Sequence, residues 1–97
     1  MIQIVIHCKP KENSEHFGKV HGAYAAIFVN YKDVDGAFEL AKFYVNDNGW
    51  EIVEVEEEYY IIDTKEEMDK DYEEYFEEII EYGYSVIYNM YQDDSEE

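Results

Sequence analysis

The stretch from Ala23 to Ile62 constrains the fold of this chain more than any other. It contains AYAAIFVNY, which is apolar almost throughout, then DVDGAFELAKFYVNDNG, whose apolar residues recur at helical spacing, then WEIVEVEEEYYII, which partly alternates. Apolar residues at i, i+3, i+4 and i+7 indicate a helix that buries one side, and alternation indicates a strand. The stretch therefore predicts a strand–helix–strand unit, with which the other segments pair or pack.

The helix of this unit has a predicted start and end. Asp33 and Asp35 place carboxylates where the N–H groups of a first turn have no partner. Gly49 follows the last apolar position and can end the helix in a left-handed conformation. The apolar stripe, which we expect to face the sheet, consists of Val34, Ala37, Phe38, Ala41 and Val45, widened by Leu40 and Tyr44.

Isoleucine recurs at every second position near the start of the chain. Ile2, Ile4 and Ile6 have the period of a strand with one strongly buried face. Pro10 lacks a backbone N–H and is expected to end that strand. Residues 9–22 are polar and rich in turn formers, so we predict a long loop or an irregular hairpin connection there.

The strand that begins at Trp50 contains one residue out of pattern, because Glu57 interrupts its apolar face. Either a bulge shifts the register there, or the segment splits into two short strands around Glu56–Glu58. No Gly, Asn or Pro marks a tight turn at that place. We therefore favour one long, bent strand in which the bulge turns Glu57 outward.

A second helix and a last strand are predicted for the remainder of the chain. Thr64 and Glu67 have the spacing of a capping box, and Gly83 stands where the helix would end. The segment YSVIYNMY that follows alternates as a strand does. The predicted apolar stripe of the second helix consists of Met68, Tyr72, Tyr75, Phe76, Ile79 and Ile80.

The order β-β-α-β-α-β predicts an α+β fold with a mixed four-stranded sheet and two helices packed on one face. Two strand–helix–strand connections imply parallel neighbours joined by right-handed crossovers. The order is related to ferredoxin-like topologies, and if the third strand splits, residues 23–91 have the ferredoxin-like order itself. We expect residues 1–92 to form a single acidic domain and residues 93–97 a disordered acidic tail.

The charge of the chain is distributed very unevenly. The formal net charge is −18; residues 1–50 contain five lysines and six acids, whereas residues 51–97 contain two lysines and nineteen acids. Such a field repels nucleic acid and anionic membranes and attracts basic protein surfaces. We therefore expect a basic protein partner, no direct contact with nucleic acid or membrane, and a monomer or homodimer.

The acids of the second predicted helix are the candidate partner-binding site. Several recur at i and i+4, where each like-charge pair costs about 0.2–0.5 kcal/mol. A surface selected only for solubility would mix lysines among them. Tyrosine, which is enriched at protein interfaces, is interleaved with these acids. The alternative is a solvated acidic helix without a binding role. The predicted contact residues are Asp69, Glu73, Glu74, Glu77, Glu78, Glu81 and Tyr82.

Residues that could support catalysis or bind a metal are few. His7, Cys8, His16 and His21 lie close in sequence, but their spacing matches no standard zinc pattern. A lone cysteine late in an apolar strand is more often a core residue than a nucleophile. The single cysteine also fits a reducing compartment, so we expect a cytoplasmic protein. We predict no metal, no cofactor and no enzymatic activity.

Two functions are compatible with this composition. The first is a small acidic protein-binding module, an inhibitor or immunity-type protein that occupies a basic, nucleic-acid-binding surface of a partner protein. The alternative is a small-ligand-binding domain or an enzyme subunit with a pocket between the sheet and the loop of residues 9–22. An enclosed pocket with convergent polar groups would favour the alternative.

Overall fold

The computed structural model describes residues 1–92, and the predicted tail of residues 93–97 lies outside them. The chain order agrees with the predicted β-β-α-β-α-β order, and the class is α+β. The elements are β1 (Ile2–Pro10), β2 (Gly22–Val29), α1 (Val34–Asp47), β3 (Trp50–Ile61), two 3₁₀ segments (Lys65–Glu67 and Lys70–Tyr75), α2 (Phe76–Tyr82) and β4 (Tyr84–Tyr91). None of the helices within residues 1–92 has the length and hydropathy that crossing a lipid bilayer needs.

The four strands form one sheet in the order β3-β1-β2-β4, and every neighbouring pair is antiparallel. The prediction of a mixed sheet with parallel neighbours was wrong. β2 and β3 do run in the same direction, but β1 lies between them, so the connection through α1 passes across β1. The isoleucine-rich β1 is thereby central, and β3 and β4 form the two edges of the sheet.

The two helices pack on opposite faces of the sheet, which corrects the prediction that both cover one face. The reason is β2, whose side chains are apolar on both sides and need cover on both. The first core, under α1, consists of Ile2, Ile4, Ile6, Cys8, Ala23, Ala25, Ile27, Val29, Ala37, Ala41, Val45 and Trp50. The second core, under the 3₁₀ segments and α2, consists of Ala26, Phe28, Ile62, Met68 and Ile79.

The predicted features of α1 are confirmed. The Asp33 carboxylate accepts a hydrogen bond from the Gly36 N–H at 2.8 Å and so caps the first turn. Ala37, Ala41 and Val45 are its buried residues. Gly49 follows the helix with a φ of 89°, the left-handed conformation expected of a residue at that place.

β3 is one long strand with an irregular register, as favoured from the sequence. Ile4 pairs with Tyr59, whereas Ile6 pairs with Val55, so the residues Glu56–Glu58 form a bulge between them. Glu57 is exposed, which agrees with the outward orientation predicted for it. A second register shift lies between His7 and Cys8.

The second predicted helix is not one α-helix, and this part of the prediction was wrong. The Glu67 carboxylate accepts hydrogen bonds from the N–H groups of Asp63 and Thr64 at 2.6 and 2.9 Å, but this capping arrangement opens only a 3₁₀ turn. Met68 then adopts an extended conformation and is buried in the second core. The chain starts again at Asp69 as a second 3₁₀ segment, and only Phe76–Tyr82 is α-helical.

Candidate protein-interaction site

The seven predicted contact residues lie in the segment that covers the second face of the sheet. Asp69 is the N-cap residue of the second 3₁₀ segment, Glu73 and Glu74 lie within that segment, and the other four lie on α2. The predicted i, i+4 row therefore does not run along one helix. All are exposed except Glu73, which is half-buried. None of the six carboxylates forms an ion pair with a residue in the described part of the chain.

The structure separates these residues between two clefts. Glu78 and Tyr82 line a cleft of about 500 Å³ at β4. Asp69 lines a second cleft of about 510 Å³ beside β3, together with Gln3, Tyr60, Ile61, Ile62 and Glu67. Neither cleft is lined by a residue of the loop 9–22, where the alternative hypothesis placed a ligand pocket.

The cleft at β4 extends around the edge of the sheet. Successive side chains of a strand point to opposite faces. The even-numbered residues of β4 therefore face α1, while Ser85 faces the side on which α2 lies. Because residues from both faces line the same cleft, it encloses the outer edge of β4. The lining residues are Asn48, Glu78, Tyr82, Tyr84, Ser85, Val86 and Tyr88.

The α2 side of the cleft contains Glu78, which is held in place by the strand that it faces. Gly83, with a φ of 92°, reverses the chain between α2 and β4, and its N–H donates to the Ile79 carbonyl oxygen at 2.8 Å. The Ser85 hydroxyl then donates to a Glu78 carboxylate oxygen at 2.9 Å. The carboxylate can accept several further hydrogen bonds and is available to a cationic partner group.

The α1 side of the cleft is lined by Tyr88, which carries a hydroxyl group. Its oxygen is buried and has no hydrogen-bond partner in the described part of the chain. Burial raises the pKa of Tyr88 to about 12, and the Asn48 side chain, which approaches the hydroxyl without meeting hydrogen-bond geometry, acts in the opposite direction. The hydroxyl is therefore protonated at neutral pH, and a group entering the cleft could satisfy it.

Aromatic stacking fixes the walls on this side. The Tyr88 ring stacks on Trp50 with 4.9 Å between ring centroids, and the Tyr84 ring stacks on Tyr44 at 4.0 Å. Burial, and then the neighbouring Tyr84, raise the pKa of Tyr44. The Asn48 amide group donates to the Tyr44 carbonyl oxygen at 2.7 Å. The rings and the end of α1 thus form a preorganised wall rather than loose surface side chains.

The backbone of β4 is the part of this site that sequence reasoning missed. Gly83 and Tyr91 accept backbone hydrogen bonds from Asn30 and His21, so the odd-numbered residues bond towards β2. Antiparallel geometry then directs the N–H and C=O groups of the even-numbered residues away from β2. Those groups make no hydrogen bond to any other segment within residues 1–92. The signal for this in the sequence is YSVIYNMY itself, which has no charged residue.

Cys8 and His7, two of the residues considered for catalysis or metal binding, lie next to each other on β1. Cys8 is a free, fully buried thiol whose pKa is raised by burial to about 11, which makes it a poor nucleophile at neutral pH. His7 lies on the opposite face, where its Nε2 is 2.6 Å from the Tyr91 hydroxyl oxygen. No group of three or more His, Cys, Asp or Glu side chains within residues 1–92 is arranged to hold a metal ion.

No protein-family model, curated protein or solved structure matches this chain. The functional hypothesis therefore depends on the chemistry of the surface alone.

Proposed function

We propose that this protein is a small acidic binding module that occupies a basic, nucleic-acid-binding surface of a partner protein, as an inhibitor or immunity-type protein does. The observation that carries the proposal is that the six predicted acidic contact residues have no ion-pair partner in the described part of the chain; they are Asp69, Glu73, Glu74, Glu77, Glu78 and Glu81. Charge that is not neutralised within the protein extends outward and attracts a basic surface.

The proposed mechanism has two steps. The acids first accelerate the encounter with a basic surface by electrostatic steering, which is sensitive to salt. Tyrosine side chains beside them are then buried at the contact, where rigid rings contribute area and hydroxyl groups contribute hydrogen bonds. Tyr82, which is 68% exposed on α2, is the tyrosine best placed for that role. The protein itself is not an enzyme in this proposal and needs no cofactor.

Two finer expectations belong to the same proposal. A cytoplasmic location is supported by Cys8, a free thiol in a chain with no second cysteine. A ferredoxin-like relationship is supported by the antiparallel four-stranded sheet with two helices, but the position of those helices on opposite faces is a departure from the arrangement that we expected.

The experiment is affinity capture from the native host with a matched pair of variants as bait. The first variant changes Glu74, Glu77 and Glu81 to glutamine, which removes three exposed charges from the second 3₁₀ segment and α2 while preserving side-chain size. We expect the parent protein to retain a basic protein at low salt and to release it at high salt. The first variant is expected to retain much less of it, because the steering charges are missing.

The matched control changes Glu56, Glu57 and Glu58 to glutamine in the bulge of β3. It has the same net charge as the first variant but loses its acids at the other edge of the sheet, so we expect capture close to that of the parent. The captured partner is then assayed for nucleic-acid binding, which the parent protein is expected to block. Capture of no basic protein, or equal loss with both variants, would contradict the proposal.

A further inference from the structure

The two edges of the sheet differ in how they are protected against pairing with another strand. Proteins commonly protect an exposed edge with charged side chains and bulges. β3 contains five glutamates and two register shifts. β4 contains no charged residue, and its pairing with β2 continues from Tyr91 to Tyr84 without a shift. β4 is therefore a regular edge that can accept a further strand.

The surroundings of β4 indicate the charge of that strand. α2 lies directly beside the edge and carries Glu77, Glu78 and Glu81. Glu78 lines the cleft that encloses the edge, whereas no lysine does. Within residues 1–92 none of these three carboxylates is neutralised by a cation. The charge next to the edge complements a basic segment and disfavours an acidic one.

We propose that the partner contributes a basic, extended segment that adds to β4 as a fifth strand. Its backbone bonds to the outward N–H and C=O groups of Tyr84, Val86, Tyr88 and Met90. Its side chains alternate between the two sides of the cleft, with lysine or arginine beside Glu78 and Tyr82 on one side and a hydrogen-bonding side chain at the Tyr88 hydroxyl on the other. The inference rests on the proposed function and specifies how that surface binds.

A second copy of this chain fits the same edge poorly. Each copy has a net charge of −18, and antiparallel pairing of two β4 strands would bring two α2 helices and their acids together. Repulsion of this kind opposes association, whereas a basic strand gains attraction at the same place. The occupant is therefore a partner strand of opposite charge.

The test uses a capped synthetic peptide of about eight residues, a typical strand length, in which lysine alternates with valine and threonine. Two further peptides are N-methylated at every second residue, one in each register. Both keep all the lysine charges, but each lacks the N–H groups along one edge. Binding to the full chain is measured by fluorescence anisotropy at low salt, with a peptide in which glutamate replaces lysine as the charge control.

We expect the unmethylated peptide to bind, one methylated peptide to bind nearly as well, and the other to lose about tenfold or more in affinity because its ladder hydrogen bonds cannot form. The glutamate peptide is expected not to bind. Absence of binding by the unmethylated peptide would overturn strand addition. So would equal affinity of all three lysine peptides, which would mean attraction by charge alone. That last result would leave the acidic-surface proposal standing, because the capture experiment tests that proposal separately.

The other possible occupant of the β4 edge is a second copy of this chain, and sedimentation of the protein alone tests for it. We expect a monomer. A dimer that dissociates when Met90 is changed to lysine would assign the β4 edge to a second copy and would overturn the inference.

Discussion

The two edges of this sheet are built in opposite ways. β3 is long, contains five glutamates and twice departs from regular pairing with β1. β4 is shorter, contains no charged side chain and keeps one register with β2 along its whole length. Both are outermost strands of the same antiparallel sheet. The comparison shows that, within residues 1–92, edge protection of the kind that sheets generally need is present at the β3 edge and not at the β4 edge.

The negative charge at the β4 edge lies on α2, beside the strand, and not on the strand itself. The acids nearest to β4 belong to α2, which packs against the strand, and those of β3 belong to the strand itself. A charge on an edge strand hinders pairing, whereas a charge next to an edge selects which strand can pair. In our proposal the acids therefore have different roles in the two regions: they protect the edge at β3 and select the partner strand at β4.

The largest effect is expected from the residue that connects the two edges. Trp50 begins β3, is 2% exposed, and its ring stacks on the ring of Tyr88 in β4. Changing Trp50 to alanine is expected to cost about 3–5 kcal/mol of the free energy of unfolding, because it leaves a cavity in the first core. The melting temperature is then expected to fall by about 15 °C or more.

The control for this prediction is Phe43 changed to alanine on the exposed side of α1. Phe43 is 60% exposed, so its removal is expected to change the free energy of unfolding by about 0.5 kcal/mol or less. Thermal unfolding followed by circular dichroism measures both variants. Equal melting temperatures for the two variants would contradict the role of Trp50 as the connection between β3 and β4.

The second largest effect is expected when a lysine is introduced at one edge of the sheet or the other. Met90 on β4 and Val53 on β3 are 45% and 52% exposed, and each can be changed to lysine with the same change in net charge. The Met90 variant is expected to bind the lysine peptide about tenfold more weakly, because a like charge then stands at the binding edge. The Val53 variant is expected to bind almost as the parent does. Equal weakening in both would mean that only net charge matters.

The regions that could be predicted from the sequence are those determined by local signals. α1 has its capping Asp33, its apolar stripe and its terminal Gly49 within one segment, and all were confirmed. The bulge in β3 was predictable because Glu57 breaks an otherwise regular apolar pattern. Burial of Cys8 followed from its place late in an apolar strand.

The features that could not be predicted from the sequence depend on contacts between segments that are distant along the chain. The extended conformation of Met68, which breaks the second predicted helix, accompanies its burial in the second core. The sheet order depends on β1 pairing with both β2 and β3, which periodicity does not indicate. Of the predicted site, Glu78 and Tyr82 lie at the β4 cleft, whereas Asp69 lies at another. The open edge of β4 was missed because edge position is a property of the assembled sheet.

The smallest effect is expected from the Tyr88 hydroxyl. Changing Tyr88 to phenylalanine keeps the ring that stacks on Trp50 and removes a buried oxygen without a hydrogen-bond partner. The free energy of unfolding is therefore expected to stay within about 1 kcal/mol of the parent value or to rise. Affinity for the unmethylated lysine peptide is expected to fall by about threefold to tenfold, because one hydrogen bond is lost. Unchanged affinity would mean that the Tyr88 hydroxyl does not bond to the peptide.

The most direct test of the β4 edge is amide hydrogen exchange, measured residue by residue by NMR with and without the lysine peptide. In the free protein, we expect slow exchange at Ser85, Ile87 and Asn89, whose N–H groups bond to β2, and fast exchange at Val86 and Tyr88. With the peptide bound, exchange at Val86 and Tyr88 is expected to slow by about tenfold or more, and the amides of the β3 bulge are expected not to change. Protection that appears at β3, or at neither edge while the peptide is bound, would contradict the assignment of β4 as the binding edge.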